Sequence, residues 1–343
     1  MPGDFALGIL LGILAGLVNG VFLLPMRYTR RWAWENVWLF FTLISTGLLP
    51  WVAALIAVPH LTSIFRENPA AYLVPGLIAG FVWGIAQVLY GLGLGMVGIA
   101  IGSAVVACTS TIAGTLGPLI AYAPGRLLSP GSLVLVLAIA LIVSGIYLYG
   151  SAGARKEKEA GTDSKQVVRG SFRAGLIICL TTGALGTTFI YGGKSSTGLV
   201  QAATAKGATP AFAFYVAYLV TFNAGMLPGV AYALYKMLRN KTAANYLARR
   251  CFLWNLGLAV LMALLWYGGI LMYGMSSEMM GRLGPSIAFA LFASGTVLFA
   301  NLFGWLAGEW KGASNKTLGG FVRGMALIVL AILIIAFGVS SPS

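Results

Sequence analysis

Charge is what this chain has least of. Its 343 residues include eight Asp and Glu and a single His, and charged side chains of either sign make up 9% of the total, about a third of the share found in soluble domains. A water-soluble fold is therefore excluded. Cysteine is scarce as well: Cys108, Cys179 and Cys251 stand far apart, each inside an apolar segment, without the spacing of a zinc site or a disulfide framework. They are expected to be small packing residues. No cluster of His, Asp, Glu and Cys forms in or beside the apolar segments, which argues against an enzyme, and no metal or cofactor site is expected.

What the chain has instead is hydrophobicity, 59% of its residues. Apolar runs of about 18 to 25 residues, the length that crosses a hydrocarbon layer as a helix, recur ten times. They cover about 5–24, 37–58, 73–95, 98–122, 131–150, 173–193, 210–235, 250–274, 283–307 and 320–338. Backbone groups must pair internally in lipid, and these runs lack the alternation of barrel strands. The expected fold class is an all-α polytopic membrane protein with ten transmembrane helices.

A formal charge of +14 would suit nucleic acid if it were gathered on one face, but the cations are spread among the loops, so no nucleic-acid partner is expected. They report orientation instead. The odd-numbered loops collect seventeen Lys and Arg, including Arg27, Arg30 and Arg31 in the first and Arg155 to Arg173 in the fifth, against five in the even loops. Basic loops resist translocation. The odd loops are thus expected in the cytoplasm and both termini outside, with Met1 to Leu24 an N-out helix rather than a cleaved leader, since Asp4 stands where a basic start would be.

The charged stretch Gly153 to Gln166 has the composition of a solvated linker, and the segments on either side of it echo one another. Gly16-x-x-x-Gly20-x-Phe22 matches Gly183-x-x-x-Thr187-x-Phe189; G-L-L-P (Gly47 to Pro50) matches G-M-L-P (Gly225 to Pro228); Trp83 and Tyr90 match Trp266 and Tyr273; Gly98 matches Gly284. The separations, 167, 178, 183 and 186 residues, rise in order. The expected organisation is a five-helix repeat over 1–152, a cytoplasmic linker over 153–172 and a second repeat over 173–343. An odd number of spans inverts the second copy, the plan of many secondary transporters, whose substrate site lies between the repeats.

The residues expected at such a site are aromatic rings beside amides. At 100° per residue Trp83, Gln87 and Tyr90 fall within about 60° of one another, and Asn255, Met262, Trp266 and Tyr273 share a second stripe. A ring packs on the apolar face of a sugar while an amide both donates to and accepts from hydroxyls. Asn19 and Phe22 on the first helix are expected to complete the chamber. Asn223 and Asn301 read as bonds between helices; Ser103, Ser110 and Thr111 read as bonds back to their own helix. The glycines of Gly91 to Gly95 read as sites of close helix approach. For proton coupling two acids stand out: Glu278, four residues before Arg282 in the loop joining the eighth and ninth spans, and Glu35, at the start of the second span, expected to pair locally with Arg30 and Arg31. Glu309, beside Trp310, reads as a surface anchor and His60 as exposed.

Several of these stretches resemble the L-rhamnose/proton symporter family of the drug/metabolite transporter superfamily: P-M-R-Y-T-R-R-W-A-W-E-N-V-W (Pro25 to Trp38), L-L-P-W (Leu48 to Trp51), W-G-I-A-Q-V-L-Y-G-L (Trp83 to Leu92), I-A-G-T-L-G-P (Ile112 to Pro118), W-N (Trp254, Asn255), L-W-Y (Leu265 to Tyr267) and G-E-W (Gly308 to Trp310). The resemblance spans nearly the whole chain, and the basic-W-x-W-E-x-x-W run is its most specific part. It implies ten helices in two inverted repeats and proton-driven import of a deoxyhexose, L-rhamnose or a relative, across the cell's inner membrane. Carried over by position, the family pattern is matched at Pro25, Trp32, Trp34, Glu35, Trp38, Trp83, Tyr90, Asn255 and Trp266. Gln87 stands where the family commonly has asparagine, and a family acid early in the ninth span is missing near Pro285, with Glu278 close by. A uniporter or exporter of another small polar metabolite is the alternative on the same fold.

Overall fold

The computed structural model describes residues 2–161 and 172–338. Among the described residues there is no strand, and fifteen α-helices follow one another. They are α1 (Pro2–Val21), α2 (Trp34–Thr42), α3 (Leu49–Ala57), α4 (Leu61–Glu67), α5 (Val74–Val97), α6 (Ile99–Tyr122), α7 (Pro130–Glu159), α8 (Phe172–Leu185), α9 (Thr188–Ser195), α10 (Thr197–Ala205), α11 (Pro210–Ala213), α12 (Tyr215–Asn240), α13 (Arg249–Met279), α14 (Gly284–Leu306) and α15 (Asn315–Gly338). Ten helical stretches among these residues are long and apolar enough to cross a membrane, and each coincides with one of the ten expected segments. The all-α, polytopic class stands.

Four local departures have identifiable causes. Gly153 to Glu159, expected to open the linker, continues α7; its Ala, Lys, Arg and Glu are good helix formers, and Arg155 and Glu159 are spaced to pair along a helix. Of the remainder of that stretch, residues 162–171, with Lys165 and Arg169 of the orientation count, lie outside the described residues. Glu278 lies in the last turn of α13, not in a loop, because that helix runs to Met279. The sixth segment is not one helix: α8 ends at Leu185 and the chain turns at Gly186 before α9.

The second segment contains a π-helical turn, Leu43–Leu48, between α2 and α3. Pro50 accounts for it, since proline has no N–H to give and its ring opposes the carbonyl four residues back. That carbonyl, of Thr46, accepts from Asn223 Nδ2 at 3.2 Å, and Asn223 Oδ1 accepts from Trp51 Nε1 at 3.1 Å. Asn223 therefore bonds between helices as expected. Asn301 does not: its amide donates to Val297 O on its own helix. Ser110 departs the other way, donating to Gly183 O on α8, whereas Ser103 and Thr111 bond within α6. His60 is exposed.

The chain divides into two compact units, each drawn from both sides of the linker. The first comprises Met1–Gly20, Leu89–Thr187 and Met272–Ser343; the second comprises Val21–Val88 and Thr188–Leu271. The boundaries at Gly20 and Thr187 are 167 residues apart and those at Val88 and Leu271 are 183 apart, the same separations as the sequence echoes around them.

Within the first unit, Gly8, Gly12, Gly16 and Gly20 form one stripe of α1. A Cβ at Gly16 would lie 2.7 Å from Gly295 Cα and one at Gly20 2.8 Å from Thr296 O, so α1 and α14 meet backbone to backbone. Gly183 of α8 meets α6 in the same way at Val106 and Thr109. Helices α7 and α15 cross at Gly145 and Gly324, where a Cβ on either glycine would lie 2.7 Å from the other's carbonyl oxygen. Gly93 approaches Cys179, but nothing lies near Gly91, so the expected close approach belongs to only part of that run. In the second unit Gly76, Gly80 and Gly84 lay α5 along Val220 to Gly225 of α12, and α2 packs Val37 and Phe41 against Ala259, Met262 and Ala263 of α13. Gly47 of one G-x-L-P motif faces Met226 of the other.

Gly80→Ala should lower the thermal midpoint of the detergent-purified protein, because the new methyl would collide with the Thr221 carbonyl. The expected cost is about 1–3 kcal/mol. Gly91→Ala, with open space around it, should leave the midpoint unchanged or raise it; equal behaviour of the two would discredit the packing described.

Candidate functional site

The second unit has an aromatic centre. Trp83 and Trp266 stand ring to ring, 5.6 Å between centroids and 34° between planes. Phe222 sits edge-on to both at 5.4 Å. Phe41 closes on Trp266 at 6.1 Å, and Phe22 stacks on Phe41 at 5.6 Å. Small residues make this possible: Gly84 and Gly225 bring α5 and α12 into backbone contact, and the Trp83 ring lies over Gly225 where any side chain would displace it. Edge-to-face rings gain from their quadrupoles beyond the area they bury. Trp83 is buried, while Trp266 keeps part of its surface open.

One turn along α5 from Trp83, Gln87 is half-buried and its amide has no hydrogen-bond partner among the described residues. Helix-facing amides ordinarily find one. A ring pair with an uncommitted amide beside it offers both the apolar and the polar half of sugar recognition.

Asn255 is also in this unit and fully buried, but its amide is engaged. Oδ1 accepts from Arg30 N at 2.9 Å and Nδ2 donates to Arg30 O at 2.8 Å. Arg31 has φ +59°, a left-handed conformation, and such a turn takes its neighbour's peptide groups out of any helix ladder. Asn255 satisfies both groups at once, and Trp254 adds a bond from Nε1 to Tyr28 O at 3.0 Å with its ring 5.4 Å from the Arg30 guanidinium.

Glu35 is 3% exposed. The expected pairing with Arg30 and Arg31 is replaced: its Oε1 accepts from Asn240 Nδ2 at 2.9 Å and from Thr242 Oγ1 at 2.8 Å. Both donors belong to the chain leaving α12, which reaches the start of α2 before either arginine does. Asn36 completes the cluster. Its Oδ1 accepts from Ala33 N and Asn245 Nδ2, its Nδ2 donates to Thr242 O, and its backbone carbonyl accepts from the Tyr246 hydroxyl at 3.0 Å. Burial pushes the Tyr246 hydroxyl above its ordinary pKa, which keeps it a donor. Sequence reasoning missed these partners, as it missed Phe41 and Phe222. The polar run Asn240 to Tyr246 between two apolar segments was the available signal for the former; for the rings there was none beyond composition.

The other expected residues belong to the first unit. Asn19 of α1 is buried with no partner for Nδ2 among the described residues. Tyr90 is 38% exposed. Tyr273 is buried, with Phe289 at 6.0 Å and Phe292 at 5.5 Å from its ring. Glu278 is exposed in the last turn of α13.

Ten helical stretches of membrane length among the described residues define a multi-pass membrane protein. Over residues 1–341 the chain matches the family described as L-rhamnose-proton symport protein, and it belongs to that family. The family is one of transporters, not enzymes. The chain is 25% identical to the L-rhamnose-proton symporter of Cronobacter sakazakii over 354 aligned residues, covering 99% of this chain and 100% of that protein. It is 24% identical to the symporter of the same name from Klebsiella pneumoniae strain 342, with the same coverage, and 24% identical to that of Yersinia pestis strain Pestoides F, covering 97% and 99%.

Asn255→Ala should destabilise the protein by about 1–3 kcal/mol, since two peptide groups of Arg30 lose their partner. A thermal melt that does not move would release the Asn255 amide from this structural duty.

Proposed function

We propose that this chain imports L-rhamnose or a closely related monosaccharide together with protons, by alternating access between two inverted five-helix repeats in the cell's inner membrane. The observation that carries the sugar assignment is the Trp83–Trp266 pair with the uncommitted Gln87 amide one turn away. The names of the family and of its relatives support the same substrate and the same coupling ion. In this reading Trp83, Trp266 and Phe22 wall the site and Gln87 bonds a sugar hydroxyl. Asn255 holds the frame of the same unit through its two bonds to Arg30.

The inverted repeat is supported by pairing at several depths. The boundaries of the compact units fall at echoed positions. Helix α1 meets α14 as α8 meets α6, α7 crosses α15 glycine to glycine, and Trp83 faces its own counterpart. An exchange of the two halves turns each of these contacts into another of the set. Lysine and arginine bias supports odd loops in the cytoplasm and both termini outside.

Glu35 is the stronger proton carrier on this geometry. Protonation would remove acceptor capacity from a buried carboxylate that ties α2 to the end of α12, so it would alter the contacts of a helix that reaches the aromatic centre. Glu278 is exposed in the last turn of α13. The alternative of an uncoupled uniporter or an exporter draws on one observation: among the described residues every carboxylate lies near a helix end or in a loop, none in mid-span.

In proteoliposomes an imposed inward proton gradient should drive accumulation of L-rhamnose; exchange without accumulation would favour the uniporter. Gln87→Ala should weaken sugar binding by about 1–3 kcal/mol without lowering the thermal midpoint, and unaltered affinity would return Gln87 to packing. Glu35→Gln should retain sugar counterflow and lose proton-driven accumulation, with Glu278→Gln retaining both. The opposite pattern would assign the proton to Glu278.

A further inference from the structure

The second unit contains a buried hydroxyl with nothing to bond. Tyr267, next to Trp266 on α13, is 3% exposed, and its hydroxyl has no hydrogen-bond partner among the described residues. Serine and threonine can turn back to a carbonyl of their own helix, but a tyrosine hydroxyl stands too far from its backbone to do so. Its partner must come from elsewhere. Packing does not require the oxygen either, because phenylalanine would fill the same space without the penalty of an unsatisfied buried group.

Its surroundings are those of the aromatic centre. The Tyr267 ring is edge-on to Phe222, 6.1 Å between centroids and 84° between planes. Phe222 itself is edge-on to both Trp83 and Trp266. A single phenylalanine ring is therefore shared by the tryptophan pair and the tyrosine. The Phe222 ring also meets Tyr218 edge-on, 5.3 Å between centroids.

We propose that the Tyr267 hydroxyl is a specificity-determining contact for one hydroxyl of the transported sugar, reached when the Phe222 ring swings aside. This rests on the sugar-transport reading. The sugar supplies the missing partner, and the empty hydrogen bond makes discrimination sharp: an analogue lacking that one hydroxyl leaves the tyrosine as unsatisfied as it is without sugar.

The test uses the full chain in proteoliposomes, wild type and Tyr267→Phe, with L-rhamnose and a set of its single-position deoxy analogues. The variant should keep or raise the thermal midpoint, raise KM for L-rhamnose about three- to tenfold, and lose the wild type's discrimination against one deoxy analogue while keeping it against the others. Unchanged KM with an unchanged analogue profile overturns the proposal, and so does a loss of flux accompanied by a lower midpoint, which would make Tyr267 structural. Wild-type protein that moves none of these sugars fails differently, sinking the sugar reading itself and this inference with it.

Discussion

Backbone-to-backbone contact between helices is the constraint on which the structure depends. In lipid one helix gains nothing by hiding apolar surface against another, because acyl chains are as apolar as leucine; association draws on close packing and on hydrogen bonds that lipid cannot offer. Close packing needs small residues in register. The four-residue spacing of Gly8, Gly12, Gly16 and Gly20, repeated in Gly76, Gly80 and Gly84, places them on single helix faces. The aromatic centre is a consequence. Where α5 and α12 touch at Gly84 and Gly225, a large ring at position 83 has nowhere to go but across Gly225 and onto its neighbours, and there it meets Phe222 and Trp266.

Features with a strong periodic signal were legible without coordinates. Ten apolar segments emerge from length and composition because the bilayer demands both, and the pairing of Trp83 with Trp266 is carried by a frame repeated in the chain. Interruptions were harder to see. Pro50 announces a defect, yet whether it makes a kink, a break or a π turn depends on which neighbour takes the freed carbonyl, and that neighbour, Asn223, is 177 positions from Thr46. The extension of α7 past the apolar run was hidden for another reason: alanine, lysine and glutamate suit an exposed helix and a solvated linker equally well.

Polar residues stand out in the sequence, but their partners do not. Asn255 draws attention as an amide in mid-segment, but its duty is set by a left-handed residue at Arg31, 224 positions away. Glu35 was matched with the cations nearest in sequence, whereas the chain leaving α12 returns to the start of α2 with two better hydrogen-bond donors. Local charge patterns describe what is near along the chain, and a buried carboxylate answers to what is near in space.

The echo between the halves includes a cation, Arg27 matching Lys194, but no acid. Glycines, prolines and aromatic rings recur at separations of 167 to 186 residues, but the acids do not. The stretch corresponding to Glu35 in the second half, between Ala202 and Ala213, contains no acid, and neither does the stretch corresponding to Glu278, between Leu92 and Gly95. A duplicated frame suits a device that must present one site to two sides in turn. An ion that couples to that movement calls for something else, a titratable group whose contacts differ between the two states; a matched pair of acids would tend to respond equally in both and cancel. A single acid without a counterpart avoids the cancellation. Glu35 meets that condition and adds burial and two hydrogen bonds to the far end of α12, so in the proposed transporter the symmetry of the frame supplies the movement and the asymmetry at Glu35 supplies the coupling.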